Sequence, residues 1–136
     1  MEKFEKIYDY EDRLVRFAGE SALFAEKLLD TYTAVYYRNQ LIRSSGSPVL
    51  NYGEAQATVT DKDFIHKMSI SVKELKESRG CLKVLAYLNL GEQKMRELLL
   101  SECEELIAIG FSMIKKRKAK STSTSTSTST ATSKSK

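Results

Sequence analysis

Apolar side chains recur three and four residues apart through most of the chain, the spacing of one face of an α-helix. In the first such stretch Ile7, Tyr10, Leu14, Phe17, Ser21, Phe24 and Leu28 form a heptad-like seam, which predicts a helix from about residue 2 to residue 29. Acidic residues crowd its first half (Glu2, Glu5, Asp9, Glu11 and Asp12), the end that the helix dipole makes positive. A second line, Val15, Ala18, Ala22, Ala25 and Leu29, makes the apolar face wider than one neighbour needs. Asp30 or Thr31 is then a cap for the next helix, expected over residues 33–55. Thr60-Asp61-Lys62-Asp63 has the form of a capping box with Asp in place of Glu, and opens a third helix over residues 61–89. There Met68, Val72, Leu75, Arg79, Leu82 and Ala86 step by four and three, with Arg79 on the seam, a costly place for an arginine without a partner. Leu90-Gly91 reads as a stop in which Gly91 takes a left-handed conformation. A fourth helix follows over residues 92–116, with Met95, Leu98, Leu99, Leu106, Ile109, Met113 and Ile114 as its buried face. Leu100, Ile107 and Phe111 lie off that stripe. A helix apolar on several sides is normally buried on several sides, which points to oligomerisation.

The second helix contains the one segment that resists a periodicity reading, Asn39 to Ala55. It holds the only proline of the chain, Pro48, beside Ser44, Ser45, Gly46 and Ser47. Such a run is ordinarily a loop. The other reading is a close-packed helix, in which small side chains let a neighbouring backbone approach and Pro48 removes one donor and kinks the axis. Tyr32, Tyr36, Tyr37 and Tyr52 put several phenols on this element, as suits a core or a subunit interface; stacking on nucleic-acid bases is the alternative.

Gln40-Leu41-Ile42-Arg43-Ser44, followed by Ser47-Pro48-Val49-Leu50-Asn51-Tyr52-Gly53-Glu54-Ala55, resembles the signature of the bacterial four helix bundle protein family. That family is also called the 23S rRNA intervening-sequence protein family, and its usual form is Q-I-R-R-A, then S-I-P-S-N-I-A-E-G. Asp63-Phe64 and Ser71-Val72-Lys73-Glu74-Leu75-Lys76-Glu77 resemble its E-F and S-L-x-E-L-E segments. The match runs from about Arg13 to Arg117. Tyr52-Gly53-Glu54-Ala55 departs from I-A-E-G, so the helix end is shifted or differently capped, and Ser45 and Gly46 replace small apolar residues. The resemblance implies an all-α, antiparallel up-down four-helix bundle that stays helical through Pro48 and assembles as a homopentamer. The accessory variability determinant of diversity-generating retroelements is similar to this family; it is a pentameric helical barrel that binds a reverse transcriptase and nucleic acid.

With 136 residues the chain is one domain with a sizeable core. It has no apolar run long enough to span a membrane and no leader-like N-terminus, so a soluble cytoplasmic protein is expected. Cys81 and Cys103 fall within helical patterns and read as small buried hydrophobes. His66, the only histidine, reads as a rim residue, and without His or Cys partners at ligand spacing no metal site or cofactor is expected. The net charge of +4 is unevenly spread. Residues 1–114 carry 15 Lys+Arg against 18 Asp+Glu, a net of −3, and residues 115–136 carry seven basic residues and no acid. The organisation expected is therefore a bundle over residues 1–117 and a disordered, basic Ser/Thr-rich tail over residues 118–136.

Two sets of residues are candidates for function. Gln40, Arg43, Asn51 and Glu54 with Glu74 and Arg79 are expected to form a buried interhelical polar network that sets register; the sharper reading of the same set is a ligand site. Glu54 and Glu74 lack the Glu-x-x-His pattern of bundle di-metal sites, and Glu102-Cys103-Glu104-Glu105 reads as a solvated edge. Lys115, Lys116, Arg117, Lys118 and Lys120 are the candidate contacts to nucleic acid. No nucleophile–base pair, phosphate-binding loop or nucleophile elbow is present, so an enzyme is not expected. Two functional readings follow. One is a homo-oligomeric interaction scaffold. The other is an accessory protein that binds RNA or DNA, with a reverse transcriptase as its partner.

Overall fold

In the computed structural model, backbone is described for residues 3–135 and side chains for residues 3–122. Four helices follow one another: α1 (Tyr10–Glu26), α2 (Tyr32–Gln56), α3 (Asp61–Tyr87) and α4 (Gln93–Ser135). Short connections at 27–31, 57–60 and 88–92 force neighbours antiparallel. Each helix packs on the next and α4 returns to α1, a four-cornered up-down bundle. Its core is lined by Leu14, Phe17, Leu41, Met68, Leu75, Leu82, Leu99 and Leu106, all fully buried.

The caps are written in the chain. Asp9, Thr31 and Thr60 each accept a hydrogen bond from a backbone N–H three residues on, at Asp12, Ala34 and Asp63, which satisfies donors a helix start leaves open. Gly91 has φ +83°, as expected of the stop before α4. A Cβ there would also overlap the Phe24 ring. Gly110 serves a different purpose: a Cβ would lie 2.9 Å from the Tyr10 hydroxyl, so its bare backbone leaves room for that hydroxyl to donate to the Leu106 carbonyl at 2.9 Å.

Residues 39–55 are helical throughout, Pro48 included. Pro48, Ser44 and Ser45 are buried, and toward α3 the hydroxyls of Ser44 and Ser78 lie 2.8 Å apart and Ser71 donates to the Pro48 carbonyl at 3.2 Å. The loop reading is overturned because a serine-rich, proline-containing surface can be satisfied by a facing helix that also carries serines.

Two boundaries and one buried line differ from the periodicity reading. Residues 3–9 are not helical, since Asp9 is already the cap of α1. On α3 the buried line is Phe64, Met68, Ser71, Val72, Leu75, Ser78, Leu82 and Leu85, so Ser78 and Leu85 take the places given to Arg79 and Ala86. Counting apolar letters passes over serine, yet a serine is what permits the close α2–α3 approach. On α4 the helix continues past Arg117 through Lys118, Ala119 and Lys120, all tolerant of helix. Beyond Thr122 the backbone alone is described, helical to Ser135, and the side chains of the tail for which disorder is expected lie outside the described residues.

Replacing Gly91 by alanine forces a left-handed residue and displaces Phe24. A loss of about 2 kcal/mol or more is expected in a chemical melt, whereas Gly53→Ala, with open space around it, should be neutral or stabilising.

Candidate functional site

The six residues expected to form one network do not do so. Arg43 lies on the outer face between α2 and α3, where it donates to Glu74 at 2.8 Å, Glu77 at 2.6 Å and Gln40 at 3.3 Å. Its side chain is 51% exposed, so this cluster is a surface clamp across two helices. The hydrogen bond from Arg43 holds the Glu77 carboxyl below its ordinary range. Glu54 pairs with Lys67 at 3.0 Å further down the same pair of helices. Asn51 bonds within α2, to the carbonyl and hydroxyl of Ser47. Arg79 reaches Glu104 on α4 at 3.4 Å. The charges sit outside because each long side chain finds an opposite charge on the neighbouring helix without being drawn into the core.

The buried ionic group is elsewhere. Glu102 on α4 is 4% exposed and receives two bonds from Arg13 on α1, Nε at 3.0 Å and Nη2 at 2.7 Å. Arg13 also reaches Glu105 at 3.3 Å, and Arg16 lies 3.5 Å from Glu102. Arg16 in turn donates to the Glu5 carbonyl at 2.6 Å and lies against the Phe4 ring, 4.8 Å from its centre. The Glu102-Cys103-Glu104-Glu105 segment is therefore not wholly a solvated edge. Glu102 and Cys103 face inward, in step with Leu99 and Leu106, and that spacing was the available signal. Burial pushes the Cys103 thiol up to about 12, and its Sγ lies 3.1 Å from the Leu75 carbonyl. Burial also raises the Tyr10 phenol, whose ring meets Tyr52 edge-on with centroids 5.0 Å apart.

Two further arginines close the end of the bundle that holds the 27–31 and 88–92 connections. Arg38 donates to the carbonyls of Ala25, Leu28 and Leu29 at the end of α1 and pairs with Asp30. Arg96, itself buried, donates to the carbonyls of Leu90 and Gly91. The carbonyls of Leu28, Leu29, Leu90 and Gly91 lie in the connections, beyond the helix ends, and at Ala25 the guanidinium adds a second donor to a carbonyl that already accepts from the Leu28 N–H at 3.1 Å. Sequence reading did not single out either arginine.

At the opposite end α4 carries the basic cluster. Arg117 pairs with Asp61 at 3.2 Å and lies 3.8 Å from the centre of the Phe64 ring, which pins it to the start of α3. Lys115, Lys116, Lys118 and Lys120 are exposed. His66 is exposed too. Among the described residues no group of three His, Cys, Asp or Glu side chains is placed to hold a metal ion, and no helix is long and apolar enough to cross a membrane.

Removing the carboxylate of Glu102 leaves Arg13 (14% exposed) without its main partner. Glu102→Ala is expected to cost about 3–5 kcal/mol in a denaturant melt. Arg43→Met, on the surface clamp, is expected to cost less than about 1 kcal/mol. Equal losses would contradict the placement of the buried pair.

Comparison with known proteins agrees with this architecture. No curated protein matches the chain. A crystal structure of a protein of unknown function from the S23 ribosomal protein family of Bacteroides thetaiotaomicron superposes with a TM-score of 0.73 at 24% identity. The overlap covers 79% of this chain and 99% of that one, and what is shared is the fold. The family model for 23S rRNA-intervening sequence proteins matches residues 15–111, a span that runs from α1 through the Pro48 segment into α4, and the chain therefore belongs to that family.

Proposed function

We propose that the protein is a non-enzymatic, cytoplasmic helical-bundle scaffold that works as a homo-oligomer, with five subunits by family resemblance. The observation that carries this reading is the outer face of α1 and α2. Val15 is 52% exposed and Leu50 72% exposed. Between them Ala18, Gly19, Gly46 and Ser47 line a shallow apolar depression. Large exposed side chains beside small ones on one surface form knobs and a hole, the complementarity that a repeated subunit contact uses. The second apolar line on α1 now has an explanation in part: Ala25 goes to the core, while Val15 and Leu29 remain outside. Phe111 on α4 is also left exposed.

A second reading is favoured by the basic end of α4. Lys115, Lys116, Lys118 and Lys120 are exposed on α4, and oligomerisation would repeat the set around one rim, an attraction for RNA or DNA phosphate that owes nothing to sequence. A reverse transcriptase as partner rests on the resemblance alone.

Sedimentation velocity tests the first reading. The full chain should sediment as a discrete oligomer and Leu50→Glu as a smaller species with unchanged helical circular dichroism; a wild-type monomer would defeat it. For the second, a duplex gel shift should weaken steeply between low and physiological salt, and a Lys118→Gln/Lys120→Gln chain should show both weaker binding and a shallower salt dependence. Binding that ignores salt and both substitutions would rule out a basic-helix contact.

A further inference from the structure

Of the four helix pairs, α1 and α4 make the sparsest contact. One face of α1 (Arg13, Arg16, Glu20, Leu23 and Lys27) and one of α4 (Glu105, Glu102, Leu98 and Met95) step by three and four along opposite directions, so they line one continuous seam. Its two halves differ. The half around Arg13, Arg16, Glu102 and Glu105 is covered by the chain's own non-helical arm: Lys3 pairs with Glu105, Glu5 presents its carbonyl to Arg16, and Phe4 lies half-buried on the Arg16 guanidinium and the core. The other half is uncovered. There a cavity of about 620 Å³ opens between Leu23, Phe24, Leu28, Met95 and Leu98, with Leu23 58% exposed at its edge. That volume is within the range of occupied binding pockets, and grooves between bundle helices are a common place for them.

The arm shows what the ionic half of this seam accepts: a non-helical peptide that lays a bulky apolar side chain on Arg16 and the core and offers a backbone carbonyl to the rim. We propose that the uncovered half of the α1–α4 seam is a docking groove for such a segment of a partner protein, bearing one or two large apolar side chains. The charges beside the cavity, Glu20 and Glu92 with Lys27 and Lys94, are of both signs, as are those that meet the arm, and suit a peptide with mixed charge like the arm's own Lys3-Phe4-Glu5-Lys6. The inference deepens the scaffold reading by naming the kind of partner, without depending on how many subunits assemble.

The chain contains no tryptophan, so a tryptophan-bearing probe can be followed selectively. The probe is the synthetic peptide acetyl-KWEKIY-amide, which follows residues 3–8 with tryptophan in place of phenylalanine, titrated into the full-length protein. A saturable blue shift is expected, at least about tenfold weaker in Leu23→Glu. That substitution is at an exposed position, so the fold should persist, as circular dichroism would verify. Leu50→Glu, which tests assembly, should bind the peptide like wild type, so a failed oligomer and a failed groove give different results. The proposal is overturned if no saturable shift occurs, if Leu23→Glu binds normally, or if Leu50→Glu loses binding equally. It is also overturned if Phe4→Ala is needed before the peptide binds, which would place the site under the arm, or if dodecanoate binds the groove and the peptide does not.

Discussion

The approach of α2 to α3 is the constraint from which the rest of the bundle follows. Pro48 denies the Ser44 carbonyl its usual helical donor, and a helix interior seldom tolerates that loss. Here the damage is confined because Pro48 is buried and hydroxyls on both sides knit α2 to α3: Ser44 with Ser78, and Ser71 with the Pro48 carbonyl. Small side chains on both surfaces permit a separation that leucines would prevent. The hydroxyls they bring into the core are bonded to one another or to carbonyls, so burying them does not leave them unpaired. The α2–α3 contact is accordingly the most extensive in the molecule, and the Arg43 clamp to Glu74 and Glu77 lies along its outer edge.

Charge has a consistent division of labour around that centre. Exposed pairs such as Arg43 with Glu77 and Lys67 with Glu54 bridge helices where water screens them and each contributes little. Arginines whose guanidinium groups are partly or wholly enclosed do something else. Arg38 and Arg96 gather carbonyls at the turns, and Arg13 holds Glu102. A planar group with five donors suits several fixed acceptors at once, which a lysine ammonium does not. The result is a bundle whose corners are tied by arginine and whose middle is tied by serine and leucine.

Much of this was legible in sequence, and the misses share a cause. The α1 seam of Tyr10, Leu14, Phe17, Ser21, Phe24 and Leu28 is buried throughout, and the Thr31 and Thr60 caps and the left-handed Gly91 are where the residue types put them. Pro48 within a helix was legible only through family resemblance, because local propensity argues for a loop. The candidate site fared worse. Arg43, Glu54, Asn51 and Arg79 lie on different outward patches, since reading along one helix cannot say which side faces a neighbour. Glu102 was passed over for sitting among other acids, although its spacing from Leu99 and Leu106 placed it inward. Its partner Arg13 is far away in sequence, and no local pattern links the two.

A bundle of four helices has four seams to close, and this chain closes them unequally. Three are closed by helices adjacent in sequence, each held at one end by a short turn and along its length by side chains that meet directly. The fourth joins the first and last helices, with no turn to draw them together. One half, at the start of α1, is fastened by Arg13 and Glu102 and receives the N-terminal arm as filler. An ionic fastening at one level constrains α1 against α4 there without forcing leucines together above it. Leu23 and Leu98 consequently face a gap instead of each other, with Leu29 exposed beside it, and the bundle leaves apolar area uncovered along the one seam its own connectivity does not complete. That asymmetry follows from topology: the seam that no turn draws together is the one whose own side chains leave room between its helices.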